Sequence, residues 1–447
     1  MNVKVTKFGG SSLADAGQFR KVRDIILADP ARCYVVPSAP GKRFRDDEKV
    51  TDMLYACHAL AQQGRDVEPV FGKVRERYLG IAADLGVNID LERELGEIAR
   101  NLADGASADY AASRGEYLNG RILAAYLEYD FVDPAGLILF DEEGYLDGER
   151  TQQELAYELK RHQRAVVPGF YGSYADGRVK TFSRGGSDIS GAIVARAVDA
   201  FLYENWTDVS GFMMADPRIV DNPHIIRQLT YHELRELSYM GAGVLHDESI
   251  FPVRKAGIPI NIRNTNDPAA PGTMIVSQYA AEDEDPSHIT GVAGRKGFVS
   301  ITVEKNLMNS ERGFGRRILQ VLEENGVNFE HLPSGIDTIS MVVSQKELGG
   351  HLDTILERIR QRVQPDTILV EQDLALIATV GRRMIRKPGM AYRLFGALAK
   401  AKVNVRMIDQ GSSELNIIVG VDDRDFERAI RAIYEAFEGE DSALFSL

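Results

Sequence analysis

The sequence predicts an α/β fold in which a mostly parallel sheet is followed by two smaller βαββαβ modules. Three observations predict it. Up to about residue 265, short apolar runs alternate with patterns of helical period, as strand–helix units feeding a parallel sheet do. Two of the strand–helix junctions carry glycine pairs. Beyond about residue 289 the texture changes to an internal repeat, with the same order of strands and helices read twice.

The chain opens with Val3-Lys4-Val5-Thr6, which alternates like a strand, then Lys7-Phe8-Gly9-Gly10-Ser11-Ser12. Residues 13–29 follow, where Phe19, Val22, Ile25 and Ile26 recur at helical spacing. Strand, Gly-rich turn and helix make a setting for an anion. Glycines let the backbone approach it, and N–H groups at the helix start point at it. Lys7 adds a point charge suited to a phosphoryl oxygen. Ser11 or Ser12 is a candidate cap for the helix. The Walker pattern G-x-x-x-x-G-K-[ST] does not occur. Taken alone, a Gly-Gly turn after a strand is more often structural than functional.

Further strands are predicted at 3–7, 32–37, 165–168, 201–206 and 259–264. Residues 68–105 are charged, helical and weakly punctuated, and read as a peripheral insert; 178–182 reads as part of a hairpin. The proline-rich stretch 266–272 is a turn-rich boundary, and the acidic stretch 280–287 a linker. In the first copy of the repeat, strands are expected at 298–303, 327–332, 338–343 and 367–371, with helices at 313–325 and 352–363. The second copy reads 374–380, 389–401, 403–408, 415–421 and 425–437, with the short tail 443–447 for its last strand. The turns agree as well: Glu324-Asn325-Gly326-Val327-Asn328 parallels Lys400-Ala401-Lys402-Val403-Asn404. The strand 289–293 has no place in the first copy and is expected to cross over and complete the second, so that the modules interlock.

Composition bounds the function classes. A chain of 447 residues, 44% hydrophobic and 27% charged, is a soluble globular protein with ample core. A net charge of −13 opposes nucleic-acid binding, though not an anionic small substrate held by a local cluster of cations and N–H groups. No apolar run approaches a membrane span, and the N-terminus enters a strand without a leader-like apolar region. Cys33 and Cys57 cannot build a disulfide framework or a Cys-based zinc cluster, and both read as inert core. The expected location is cytoplasmic.

Three further constellations carry chemistry. Ser183-Arg184-Gly185-Gly186-Ser187-Asp188 opens a helix whose Ile189, Ile193 and Ala197 share one face. Arg184 suits bidentate capture of a carboxylate, while Asp188 is either a first-turn cap or a functional group. Trp206-Thr207-Asp208-Val209-Ser210-Gly211 ends a strand with two polar groups at the sheet's C-terminal edge, where ligands of open α/β sheets bind. Ala215-Asp216-Pro217-Arg218 follows, a generic turn or a nucleotide contact. Ser113-Arg114-Gly115-Glu116 leads into a helix over 117–127, so Glu116 is either a dipole-favoured carboxylate or an anion for a substrate ammonium.

Taken in order with Gly169-Phe170, these motifs resemble aspartate kinase, a family of the amino-acid-kinase superfamily with tandem C-terminal ACT modules. The resemblance spans essentially the whole chain and implies the monofunctional form, with no dinucleotide-binding domain expected after the second module. It implies an amino-acid-kinase-like three-layer domain over 1–283 and ferredoxin-like ACT modules over 289–371 and 372–447, the second completed by 289–293. It implies transfer of the γ-phosphoryl of ATP to the side-chain carboxylate of L-aspartate, giving 4-phospho-L-aspartate, the first step toward lysine, threonine and methionine. Such transfer rests on positioning and charge neutralisation, and a carboxylate nucleophile, ionised at pH 7, needs no general base.

Residue by residue, the resemblance implies that Lys7, Asp188 and Arg184 carry catalysis. ATP would lie on Lys7, Gly9, Gly10, Ser11, Thr207, Asp208, Asp216 and Arg218. Aspartate would meet Ser38, Thr51, Phe170 and Ser187, with Glu116 on its ammonium and Arg184 on its α-carboxylate. Mg²⁺ would be bound mainly through phosphates, with no metal site built from protein ligands. An amino-acid effector, lysine first and threonine second, would sit between Met308, Asn309, Arg312, Gly313, Phe314 and the strand Asn328, Phe329, Glu330. N–H groups at the helix start would take its carboxylate and Glu330 its ammonium. Exposed edge strands point to a homodimer or a dimer of dimers.

One departure stands out. In Met240-Gly241-Ala242-Gly243-Val244-Leu245-His246 the family usually carries lysine where this chain has Gly243. Either Lys255 or Arg218 substitutes, or the site tolerates the loss, or catalysis is impaired; His246 reads as structural. The alternative reading is a non-catalytic ACT-type amino-acid sensor with a decayed nucleotide site, which Gly243 favours and Lys7, Arg184 and Asp188 oppose.

Overall fold

Strand β1 (Lys4–Phe8) lies inside an eight-stranded sheet, paired in parallel with β2 (Arg32–Pro37) on one side and β8 (Leu202–Thr207) on the other. The computed structural model describes residues 2–183, 185–243, 245, 247–279 and 289–438. Arg184, His246, the expected linker 280–287 and the tail 443–447 lie outside the described residues. Within that span the chain forms two compact units. The first is Met1–Phe212, Arg227–Tyr231 and Gly243–Ala281; the second is Met213–Ile226, His232–Ala242 and Glu282–Leu447.

The first unit also contains strands β3 (Asp130–Phe131), β4 (Leu139–Phe140), β5 (Ala165–Val166), β6 (Tyr171–Tyr174), β7 (Val179–Thr181), β9 (Gln228–Thr230), β10 (Ile260–Asn264) and β11 (Thr273–Val276). The main sheet has the order β3-β5-β2-β1-β8-β10-β11-β9, parallel from β3 to β10 and antiparallel only between β10 and β11. A small side sheet has the order β4-β6-β7, and β6–β7 is the expected hairpin.

Helices α1 (Ala16–Leu27), α2 (Val50–Gln62), α3 (Glu68–Leu85), α4 (Leu91–Ala103) and α5 (Ala108–Leu127) share one apolar cluster with Phe8, Val35 and Trp206 of the sheet. After α6 (Gly148–Leu159), helix α7 (Gly186–Ala197) packs on β1, β2 and β8 from the other side. The pleat explains the division. Phe8 points to the α1–α5 cluster, so Lys7 points to the face that α7 covers. Three layers result.

Three local expectations are corrected. The first helix does not start on Ser11 or Ser12: Gly10–Leu13 is a 3₁₀ turn, and Asp15 caps α1 by accepting from the Gln18 N–H. The helix expected over 117–127 begins nine residues earlier, at Ala108, where Ser107 accepts from the Tyr110 N–H. Glu116 therefore stands in mid-helix, and no helix-start dipole accounts for it. Cys57 is core, but Cys33 is only half-buried, on the other side of the strand from its buried neighbours.

In the second unit, helix α8 (Tyr231–Tyr239) and the segments near it precede the repeat, and α9 (Phe251–Ala256) belongs to the first unit. The repeat forms one antiparallel sheet. Its strands are β12 (Gly291–Glu304), β13 (Thr338–Ser344), β14 (Thr367–Val380), β15 (Val405–Asp409) and β16 (Asn416–Asp422), in the order β13-β12-β14-β16-β15. Helices α10 (Phe314–Glu324), α11 (Gln345–Leu348), α12 (Leu352–Val363), α13 (Met390–Lys400) and α14 (Phe426–Glu438) complete it, α10 packing on α12 and α13 on α14.

The sequence reading breaks β12 and β14 each into two strands, whereas each is one strand of 14 residues. Residues 291–295 of β12 pair with 376–380 of β14, and 298–304 with 367–374. The polar interruptions Lys296-Gly297 and Gln372-Asp373 suggest breaks by composition, but the ladder passes through both with a register shift. The strand expected at 327–332 is not one. Within that range only an isolated bridge, His331 to Val342, forms.

Candidate active site

The Lys7 ammonium, 7% exposed, forms an ion pair with Asp188 Oδ1 at 2.7 Å and donates to Asn205 Oδ1 at 3.4 Å. Asn205 Nδ2 donates to that same Asp188 oxygen at 2.8 Å. The three side chains come from β1, the first turn of α7 and β8, and Lys7 and Asn205 are direct partners in the β1–β8 register. A lysine this far from water requires a counter-charge. Asp188 supplies it instead of capping its helix: the cap position is Gly185, at φ 56°, without a side-chain bond.

Beside the cluster the Gly-rich turn is fixed from two directions. Gly9 N–H donates to the Trp206 carbonyl at 2.9 Å, and Gly41 N–H donates to the Gly10 carbonyl at 2.8 Å. A Cβ on Gly10 would lie 2.9 Å from the Ala39 carbonyl oxygen, and one on Gly41 2.6 Å from the Gly10 carbonyl carbon. Two backbones pass in contact here, and glycine is required at both positions for that reason. Ser11 lies in the turn; Ser12 shares a hydrogen bond of 2.7 Å with Thr265, whose N–H donates to the Thr207 carbonyl. Thr207 in turn donates to Asp208 at 3.2 Å.

Trp206 anchors this edge. Its ring stacks on Phe8, the Arg32 and Arg263 guanidinium groups lie 5.2 Å and 4.6 Å from its centre, and its Nε1 donates to buried Glu204.

Opposite stands α5. Burial pushes the Glu116 carboxyl up to about 8, against the pull of the Ala39 N–H and the Arg114 and Lys7 charges. Its Oε2 is buried without a hydrogen-bond partner. One turn on, Asn119 donates to the Ser38 carbonyl at 2.6 Å, and its own Oδ1 is likewise buried and unpartnered. Gly115 lets the helix approach this loop, for a Cβ there would meet that of Ala39 at 2.8 Å. Arg114 is turned away, among the rings of Tyr110, Tyr117 and Tyr171. Thr51 stands in the first turn of α2.

Phe170 has φ 78°, a conformation costly for a bulky side chain. Its N–H donates to Ser190 Oγ at 2.9 Å, which donates on to the Gly186 carbonyl. Gly169 N–H donates to the Pro37 carbonyl, and a Cβ on Gly169 would lie 2.8 Å from that of Ser187. Strain of roughly 1–3 kcal/mol held by such packing is a mark of functional sites.

The structure thus gathers Lys7, Gly9, Gly10, Ser38, Phe170, Ser187, Asp188, Thr207 and Glu116 around the C-terminal ends of β1, β2 and β8. Asp216 and Arg218 belong to the second unit and chelate each other, with Arg218 86% exposed. Gly243 and Lys255 are both exposed. In the second unit, Met308 and Asn309 form a 3₁₀ turn, and Gly313 at φ 76° precedes α10, whose first residue Phe314 is buried. Asn328 N–H donates to Glu347 and Phe329 is exposed. The Glu330 carboxylate accepts from the Tyr239 hydroxyl and from Arg295. Sequence reasoning missed Asn205 and Asn119. For Asn205 a signal existed: Glu204-Asn205 are polar residues inside an otherwise apolar strand, and buried polar groups need partners.

Comparison with known proteins follows the same lines. A model of the amino acid kinase family matches residues 2–264, and an ACT domain model matches 377–437. Aspartokinase 3 of Bacillus subtilis is 40% identical over 450 aligned residues, covering 97% of this chain and 98% of that protein. The crystal structure of Clostridium acetobutylicum aspartate kinase superposes with a TM-score of 0.90 at 52% identity, covering 98% of this chain and 99% of that one. E. coli aspartokinase III in complex with lysine and aspartate has the same fold, with a TM-score of 0.74 at 24% identity over 98% of this chain and 100% of that one.

Proposed function

The chain belongs to the amino acid kinase family and, within it, to the aspartate kinases, and from that premise we propose how its residues transfer the γ-phosphoryl of ATP to the side-chain carboxylate of L-aspartate. The observation that carries this reading is the buried Lys7–Asp188–Asn205 cluster beside the Gly9-Gly10 turn, facing a buried carboxyl with an unpartnered oxygen.

Lys7 neutralises charge on the transferring phosphoryl group, and the backbone at Gly9, Gly10 and Ser11 borders the phosphates. Thr207 and Asp208 lie on the nucleotide side, with Asp216 and Arg218 as further nucleotide residues. Glu116 takes the substrate ammonium and Arg184 its α-carboxylate, and Ser38, Thr51, Phe170 and Ser187 line the pocket. Asp188 orients Lys7. Mg²⁺ would be held mainly by phosphate oxygens and water, and would add to the neutralisation of charge on the transferring group.

The domain limits 1–283, 289–371 and 372–447 belong to the same reading, as do its placement at the head of lysine, threonine and methionine synthesis and a cytoplasmic location. Among the described residues no helix is long and apolar enough to cross a membrane. The sheet edge at β15 favours pairing into a homodimer or a dimer of dimers.

Lysine is the effector we favour, with its carboxylate at the start of α10 and its ammonium on Glu330. It would then compete with Tyr239 and Arg295 for that carboxylate, and Tyr239 ends α8. A ligand that redistributes these contacts biases the segment that follows α8, as feedback requires. Glu330→Ala should raise the lysine concentration for half-inhibition at least tenfold; an unchanged value in inhibition curves would move the effector elsewhere.

The test of the activity is ATP- and Mg²⁺-dependent formation of aspartyl phosphate, trapped with hydroxylamine, with and without lysine or threonine. Turnover that falls with lysine supports both assignments. Turnover indifferent to both amino acids retains the enzyme and removes the effector. No turnover from folded protein returns the sensor reading, with Gly243 as its cause.

A further inference from the structure

The geometry points to Asn205 as a positioning residue for phosphoryl transfer, an uncharged bridge that holds Lys7 and Asp188 in the arrangement the reaction uses. This rests on the catalytic reading of Lys7 and Asp188 above. Asn205 is 3% exposed and stands opposite Lys7 on the neighbouring parallel strand. Its amide can lie only one way. The ammonium has no acceptor and the ionised carboxylate no donor, so the oxygen faces Lys7 and the nitrogen faces Asp188.

The bridge has a consequence for the reaction. Lys7 must turn donors toward a phosphoryl oxygen, and in doing so it loosens its pair with Asp188. Asp188 is then a carboxylate beside a polyanion, where like charges repel. The Asn205 N–H₂ group keeps a donor on Asp188 throughout, while its carbonyl keeps Lys7 from following the phosphate out of place. It does both without adding net charge. A leucine at this position would remove the amide's hold on both partners and leave them to their direct ion pair, and an aspartate would add a second anion next to the first. Protonated, that aspartate again presents one acceptor and one donor, as the amide does.

This gives a test that a merely structural residue would not answer. The kcat of wild type, Asn205→Leu and Asn205→Asp is measured at saturating aspartate and ATP from pH 5.5 to 8.5, with thermal melts to verify folding. Lys7→Ala is carried in the same series. Asn205→Leu should lose about 10- to 100-fold in kcat at every pH, with the aspartate KM changed less than about threefold. The Asn205→Asp rate relative to wild type should be low at pH 8.5 and rise at least about tenfold toward pH 5.5, as its carboxyl, raised by burial and by the Asp188 anion beside it, takes up a proton.

A flat Asn205→Asp ratio, or an Asn205→Leu kcat within about twofold of wild type, overturns the proposal. If Asn205→Leu does not fold, the slope of the Asn205→Asp ratio decides alone. Retained turnover in Lys7→Ala would instead indict the catalytic reading, so the two failures are distinguishable.

Discussion

Lys7→Ala should lower kcat by about 10²–10³-fold, the range found when one preorganised electrostatic contact to a developing charge is removed. The side chain is buried and its ammonium has two partners, Asp188 at 2.7 Å and Asn205 at 3.4 Å, so it is not free to be replaced by a mobile surface cation. The loss should fall on kcat more than on the KM for aspartate, because the contact strengthens as charge shifts toward the transferred group. The fold should survive. β1 is held by ladders to β2 and β8 and by Phe8 and Val5, neither of which the substitution touches.

Some stability is still lost, since Asp188 keeps its charge in a partly buried place with, among the described residues, Asn205 to hold it. Lys7→Ala combined with Asp188→Asn should therefore melt above Lys7→Ala while remaining as inactive. Steady-state rates and thermal melts on the two variants read these separately. Unchanged turnover in Lys7→Ala would remove the phosphate role.

What was legible in the sequence follows from which forces act locally. The strand at 32–37 was readable because a strand buried on both faces is apolar along most of its length, and the one predicted at 259–264 because Ile260 and Ile262 alternate with polar residues. The glycine turns were readable because close backbone contact admits no side chain, as the Gly10 and Gly41 contacts illustrate. The position of Glu116 within its helix was not. Helix starts are read from caps, and Ser107 was a weaker mark than the Arg114-Gly115-Glu116 run that drew attention away from it.

Asn205 and Asn119 were hidden for a different reason. Their value lies in partners distant along the chain, Lys7 and Asp188 for one and Ser38 for the other, and no period in the sequence encodes such pairings. The fusion of predicted strands into β12 and β14 was equally nonlocal. A Gly-containing or charged dipeptide breaks a strand by propensity, but two long neighbours pairing through it override that preference.

The second large effect concerns pH. With the Glu116 carboxyl raised to about 8 by burial, the ligand-free protein holds it mostly protonated at pH 6–7. Only the ionised form attracts an ammonium group, so the aspartate KM should fall as pH rises from 6 to 8. The limiting slope is about tenfold per pH unit below the group's own value. kcat should change far less over the same range, because saturating aspartate brings its own cation to the site and draws the carboxyl into its charged form.

Stability moves the opposite way. Unfolded, Glu116 titrates near its ordinary value of 4.5; folded, it titrates near 8. Between those values the folded state binds more protons than the unfolded state, so this group's contribution to stability declines as pH rises through the window. Glu116→Gln separates the two roles. It should raise the aspartate KM by about 10- to 100-fold at pH 8, a charge-assisted contact being worth roughly 1.5–3 kcal/mol, and leave that KM flat with pH. It should also remove the part of the fall in melting temperature between pH 5 and 8 that belongs to this carboxyl. An aspartate KM that keeps its pH slope in Glu116→Gln would place the ammonium on another group, whereas loss of the slope with no change in the melting profile would locate the titration in the complex and not in the free site.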